Sequence, residues 1–242
     1  MPTIRPGFTE PDEVPEPIPA ATVVVLRDGP DGLETLLLRR NAALEFAGGM
    51  WVFPGGRVDD DDRSPADGDD DEPPARRAAV REALEEAAVV LDPSSLVWFS
   101  HWTPPPVSIK RYATWFFAAP APDHGVAEVT IDGGEIHEHG WARPADALAR
   151  RNALEIELAP PTWITLEQLA RFGTVDEALA GFAAAEPERF ATRFALVDDG
   201  AVALYHGDAA YDDDEPDPAK PGGRHRLWML SSGWRYERDD WP

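Results

Sequence analysis

Two apolar runs near the start of the chain, "ATVVVL" (21–26) and "LETLLLRR" (33–40), flank the polar stretch "RDGPDG". Short runs rich in Val and Leu, broken by Asp-Gly pairs, read as strands joined by a tight turn, so the pattern predicts a β-hairpin. "MWVF" (50–53) predicts a short strand that stops at Pro54-Gly55-Gly56. Periodicity then disappears. Residues 57–73 carry no recurring apolar position and predict an exposed acidic loop. A long helix is predicted over residues 74–91, with Pro at its start and Asp92-Pro93 after its end. Beyond it, "SLVWFSHW" (95–102), "RYATWFFAA" (111–119) and "GVAEVTI" (125–131) predict strands, and "HEHGWA" a further one. Helices are expected over 144–151, 161–171 and 174–185.

This order of strands, helix, strands and helices predicts an α+β fold, an α/β/α sandwich around a mixed sheet, rather than repeating βαβ units. Residues 1–19 hold six prolines and read as an extended or disordered arm. Residues 20–190 read as the main domain. In the extension 191–242, "RFALV", "AVALYH", "RHRLWML" and "WRYER" alternate like strands. They predict a meander that either extends the main sheet or forms a small lobe, with "YDDDEPDPAKPGG" (211–223) as a mobile loop.

Composition narrows the function. Hydrophobic residues make up 43% of the 242, with nine Trp and ten Phe, enough for a packed core. The formal net charge of −23 argues against nonspecific binding to nucleic acid or to an anionic membrane. The absence of cysteine excludes disulfides, thiolate zinc sites and a cysteine nucleophile. The N-terminal residues lack an apolar signal core and no apolar run reaches the ~20 residues of a membrane helix, so a cytoplasmic protein is expected.

The stretch that concentrates chemistry is "VREALEEAAV" (80–89). Glu82, Glu85 and Glu86 stand at i, i+3 and i+4, on one face of the predicted helix. Crowded carboxylates repel, and a hard divalent cation such as Mg²⁺ or Mn²⁺ turns that repulsion into a binding site. Read on the helix alone, they serve equally well as a solvated face paired with Arg76, Arg77 and Arg81.

"FPGG" upstream tips the balance. Together these residues resemble the Nudix hydrolase family, whose motif is G-x5-E-x7-R-E-U-x-E-E-x-G-U, U being a bulky aliphatic. Gly56 matches the first glycine, Arg81, Glu82, Glu85 and Glu86 the charged core, and Val89 the last aliphatic. The chain departs in three ways. Gly56 and Arg81 are 25 positions apart where the motif has 14, an excess of 11. Counting back from Arg81, the isolated glutamate falls on Pro73, with Glu72 one position off. Ala83 and Ala88 stand for the first aliphatic and the late glycine, and Ala88 predicts that the helix runs on for another turn.

The resemblance implies a metal-dependent diphosphatase acting on a nucleoside diphosphate derivative, with Mg²⁺ or Mn²⁺ as cofactor. It places the metal at Glu82, Glu85 and Glu86 together with a main-chain carbonyl near Gly56. Glu82 or Glu85 would act on the attacking water, and Arg81 would brace helix and loop. It suggests Glu135 as a further metal-binding acid, with Glu138 as its substitute; His137 and His139 read better as surface residues. A Nudix-fold nucleotide-binding module without turnover is the alternative.

A second resemblance concerns the substrate. Leu36, Leu37, Arg40, Gly49 and Phe53-Pro54-Gly55-Gly56 match the pattern of Nudix coenzyme A diphosphatases, while Leu38, Asn41 and Glu45 replace its Thr, Ser and second Arg. The long insertion inside the motif, with 158–179 and 204–211, is similar to the peroxisomal branch of that group. It implies coenzyme A or an acyl derivative as the small-molecule partner, with Arg40, Gly55, Lys110 and Arg111 binding substrate. Arg39 and the 224–226 cluster are further basic candidates, and Trp51, Trp98, Trp102 and Trp115 are aromatic ones. Each has an ordinary alternative, ion pairing for the basic groups and core packing for the tryptophans. A homodimer through the Trp and Tyr residues of the meander is a further expectation.

Overall fold

The computed structural model describes residues 16–43, 47–106, 111–122 and 135–239. Glu45, Lys110, the strand expected over 125–131 and most of the expected arm lie outside the described residues.

The first hairpin is β1 (Ile18–Gly29) and β2 (Gly32–Arg40), paired antiparallel down to Gly29 opposite Gly32. β1 starts earlier than its apolar run because Ile18 to Leu26 pair in parallel with Tyr112 to Pro120 of β6 (Tyr112–Pro120). The short strands β3 (Trp51–Val52) and β4 (Gly55–Arg57) pair with β2 and β1 respectively. β5 (Val97–Thr103) lies beside β6, and β7 (Ile136–Ala142) beside β2.

Both faces of this mixed sheet are covered, which is why its strands read as continuous apolar runs rather than alternating ones. On one face Ala21, Val23, Val25, Leu36 and Leu38 pack against helix α1 (Glu72–Ala87). That helix contributes mainly alanines, Ala75, Ala78, Ala79, Ala83 and Ala87, so it sits close to the strands. On the other face Val24, Leu26, Leu33 and Leu37 pack against α2 (Pro144–Asn152), α3 (Pro160–Leu169) and α4 (Val175–Ala184). The result is the expected α/β/α sandwich.

α1 ends earlier than Ala88 suggested. Its last helical residue is Ala87, and Ala88 takes a left-handed conformation (φ 53°). The amides of Ala88 and Val89 reach back to the carbonyls of Leu84 and Ala83 at 3.0 Å each, closing the helix end. Alanine therefore performs the turn that the motif gives to glycine, and Val89 and Leu91 drop into the core under the helix.

The four strands expected in the C-terminal extension form a sheet of their own, and a strand the pattern did not predict joins the main sheet just before them. β8 (Glu188–Ala191) joins the main sheet parallel to β5. β9 (Arg193–Val197), β10 (Gly200–Leu204), β11 (His225–Leu230) and β12 (Gly233–Arg238) form a second, antiparallel sheet in the order β12-β11-β10-β9. The two sheets share one core: Trp102 of β5 stacks on Phe190 of β8 at 3.8 Å and meets Tyr205 edge-on at 5.7 Å. The 211–223 loop is tied back by a buried fork in which Arg226 donates to both oxygens of Asp208 at 2.7 and 2.6 Å and to the Pro218 carbonyl. Among the described residues no helix is long and apolar enough to cross a membrane.

Candidate active site

The site is built where β4 passes under the C-terminal half of α1. Ala21 of β1 pairs with Gly56 of β4, so the two glycines run along the sheet directly against the helix. A side chain at Gly55 would meet the Ala21 carbonyl and the Thr22 hydroxyl at 2.5 Å. At Gly56 it would lie 2.2 Å from the Glu82 carboxylate. The Gly-Gly pair is therefore a cradle in which carboxylates of α1 approach bare backbone.

Glu86 fills that cradle most deeply. It is 6% exposed, and its carboxylate accepts a hydrogen bond from the Gly55 N–H at 3.0 Å. Burial pushes its pKa up to about 7; the Gly55 amide and the charge of Arg40 oppose this, and the charges of Glu82 and Glu135 add to it. No basic side chain among the described residues forms an ion pair with it. Burial also raises the pKa of Glu82, against the pull of Arg81. Glu85 stays at the rim, more than half exposed, held by Arg81 at 3.0 Å.

Arg81 is the hub. It donates to Asp62 at 3.2 and 2.9 Å, to Glu82 at 2.8 Å, to Glu85 at 3.0 Å and to the Arg57 carbonyl at 2.9 Å. The Asp62 hydrogen bonds, above all, raise its pKa further above the usual arginine range, outweighing burial. Asp62 is itself buried and accepts the Asp59 N–H at 2.9 Å.

Sequence reasoning missed Asp62, and the signal was present. Counting back from Arg81 lands on Pro73, but counting six positions forward from Gly56 lands on Asp62, the place of the motif's isolated glutamate. The extra residues thus lie after that acid. They are not a loose loop: Arg77 donates to the Asp62 carbonyl at 2.6 Å and pairs with Asp67, and Arg63 pairs with Asp71 at 3.1 Å.

The remaining candidates divide. Arg40 and Glu135 pair at 3.2 Å and both act on Glu86 electrostatically, so they border the cradle. Glu138 instead pairs with Arg39 at 3.2 Å, beside the exposed His137 and His139. Arg111 is buried, donates to the Pro104 carbonyl at 3.2 Å, and lies four residues before Trp115, the β6 residue level with Ala21 and Gly56. Trp51 and Trp102 belong to the core opposite α1, while Trp98 and Trp115 pack together at 4.5 Å on the α1 side.

The sequence pattern described as NUDIX domain matches residues 17–161, more than half of the chain. The chain belongs to the NUDIX family. Its fold is similar to that of a NUDIX hydrolase from Alicyclobacillus acidocaldarius, with a TM-score of 0.63 at 24% identity over 71% of this chain and 99% of that one. More distant matches include an Ap4A hydrolase from C. elegans (24% identity, TM-score 0.42, 68% of this chain and 99% of that one). Another is the NUDIX domain of NrtR from Shewanella oneidensis, solved with ADP ribose (18% identity, TM-score 0.47, 65% and 88%). No curated protein matches the chain.

NUDIX hydrolases generally use divalent cations, and the cradle suits one. The buried Glu86 and the half-buried Glu82 repel each other, among the described residues Glu86 forms no ion pair, and the missing side chains of Gly55 and Gly56 let both carboxylates come up against bare backbone. Among the described residues, however, no three acidic or histidine side chains are already gathered around one point. The structure brings Glu82 and Glu86 together, with Glu135 within electrostatic reach of Glu86, and leaves Glu85 exposed beside Glu82, the two sharing one nitrogen of Arg81.

Proposed function

We propose that the chain is a metal-dependent diphosphatase that hydrolyses a diphosphate linkage in a nucleoside diphosphate derivative. The observation that carries this reading is the carboxylate pair of the buried Glu86 and the half-buried Glu82 against Gly55–Gly56, with no ion pair to Glu86 among the described residues. Burying such charge is costly unless something positive offsets it.

Glu82 and Glu86, with a carbonyl near Gly56 and Glu135 just before β7, would hold Mg²⁺ or Mn²⁺. The bound cation supplies charge neutralisation on the phosphoryl oxygens. Gly55 N–H fixes the Glu86 carboxylate, and Arg81 fixes that of Glu82. Glu85, the exposed member, takes the proton of the attacking water. The water oxygen then bonds to one phosphorus, the bridging P–O bond breaks, and the second phosphate leaves. Arg40, beside Glu86 and Glu135, is placed to meet a substrate phosphate. Coenzyme A and its acyl derivatives are the substrates to try first, given the resemblance over 36–56.

The test is a panel of coenzyme A, acyl-coenzyme A, ADP-ribose and dinucleoside polyphosphates with Mg²⁺ or Mn²⁺. Cleavage of at least one is expected, and Glu86→Gln should lower it by at least ~100-fold, since even indirect partners of a metal site cost ~10–100-fold. Substrate binding without cleavage, at equal strength with chelator present, would instead identify a binding module.

A further inference from the structure

On the face of the sheet opposite α1, a cavity of about 330 Å³ opens between α3 and β12. Its walls are Trp163 and Glu167 of α3 and Trp234, Arg235, Tyr236 and Arg238 of β12. Trp163 and Glu167 are four apart and share a helix face. Trp234 and Tyr236 are two apart and share a strand face.

The charges in this cavity are unevenly matched. Arg235 pairs with Glu237, and Arg238 pairs with Glu188. Glu167 forms no ion pair among the described residues, and burial alone raises its pKa. The cavity therefore offers one half-buried carboxylate beside aromatic rings. The indole of Trp234 already carries a cation: the Arg151 guanidinium lies 4.1 Å from its ring centroid. Trp163 and Trp234 are inclined at 51° with centroids 6.3 Å apart, which leaves no parallel slot for a flat base.

We propose that this cavity binds a small organic cation, a substituted ammonium whose charge meets Glu167 and whose alkyl groups lie against Trp234 and Tyr236. Aromatic faces attract such cations through their ring quadrupoles, and alkyl substituents bury against the same surface. The volume lies at the lower end of ligand sites, ~300–1,000 Å³, which restricts the ligand to a small one. An anion would face Glu167 and two arginines that already have carboxylate partners. At longer range the net charge of −23 concentrates cations around the whole protein. The site is independent of the proposed hydrolysis.

Tryptophan fluorescence of the native chain, titrated with choline and with its uncharged isostere 3,3-dimethyl-1-butanol at matched ionic strength, tests this directly. Choline should give a saturable change, and the isostere should bind at least about tenfold more weakly. Glu167→Gln, its folding checked by circular dichroism, should weaken choline by a similar factor. Equal affinities for choline and the isostere overturn the proposal, as does the absence of saturable choline binding to the native chain. If the variant does not fold, the isostere comparison alone decides.

Discussion

Glu86 combines deep burial with a hydrogen bond from the Gly55 amide and, among the described residues, no ion pair, so its protonation is coupled to folding when no metal is bound. Its folded pKa, about 7, lies above the 4.5 of an ordinary glutamate, so the folded state binds the proton more tightly. Stability is highest below pH 4.5 on this account and falls as pH rises from about 4.5 to about 7. The loss is about 3 kcal/mol at most. With chelator present, the melting temperature should drop across that window, and Glu86→Gln should flatten the dependence; Mn²⁺ should restore stability most at the alkaline end. Asp62 acts one step further out, through Arg81. Asp62→Asn should lower turnover of a cleaved substrate or Mn²⁺ affinity by ~10–100-fold. A loss of melting temperature with both kinetics and Mn²⁺ affinity intact would make Asp62 structural only.

Among the elements, the end of α1 is the instructive one. Alanine is a strong helix former, so propensity alone extends the helix through Ala88, whereas the chain turns there at φ 53°. A left-handed conformation costs a residue with a Cβ ~1–2 kcal/mol, so Ala88→Gly should stabilise by about 1 kcal/mol and raise the melting temperature by ~2–4 °C in a thermal melt. The strands and helices with strong apolar patterns were legible in the sequence, because burial on both faces leaves long apolar runs and Pro marks the helix starts. The glycine cradle and the Arg81 hub were legible too, once the family pattern was recognised. What was not legible depended on distance in space. Asp62 was hidden because the insertion shifts the count from the helix side, and no helical wheel shows that Glu82 and Glu85 share one nitrogen of Arg81. The short strand β8 was not predicted at all: its four residues carry too little pattern to announce a strand that joins the main sheet ahead of the meander.

Taken as a whole, the molecule buries one core under two sheets, and the Asp208–Arg226 fork closes the second sheet. Both side chains are fully buried. Burial alone would raise the Asp208 pKa, but hydrogen bonds from Arg226 and from the His225 and Ala210 amides outweigh it and hold the pKa below the usual 3.8. Its contribution is therefore present above that value and lost as pH falls through the lower folded pKa. Asp208→Ala strands a buried guanidinium and should cost ~3–5 kcal/mol in urea unfolding, whereas replacing both partners with apolar residues should cost far less. The insertion after Asp62 has a different significance at this scale. Gly68 lies at its exposed middle, with no atom within 4 Å of where a Cβ would sit, and arginine–aspartate pairs fasten the chain on either side. A chain cut at Gly68 would put the glycine cradle and Asp62 on one fragment and Arg81, Glu82 and Glu86 on the other. Cut there, neither fragment would carry the whole family motif, and any activity would require the two to come back together.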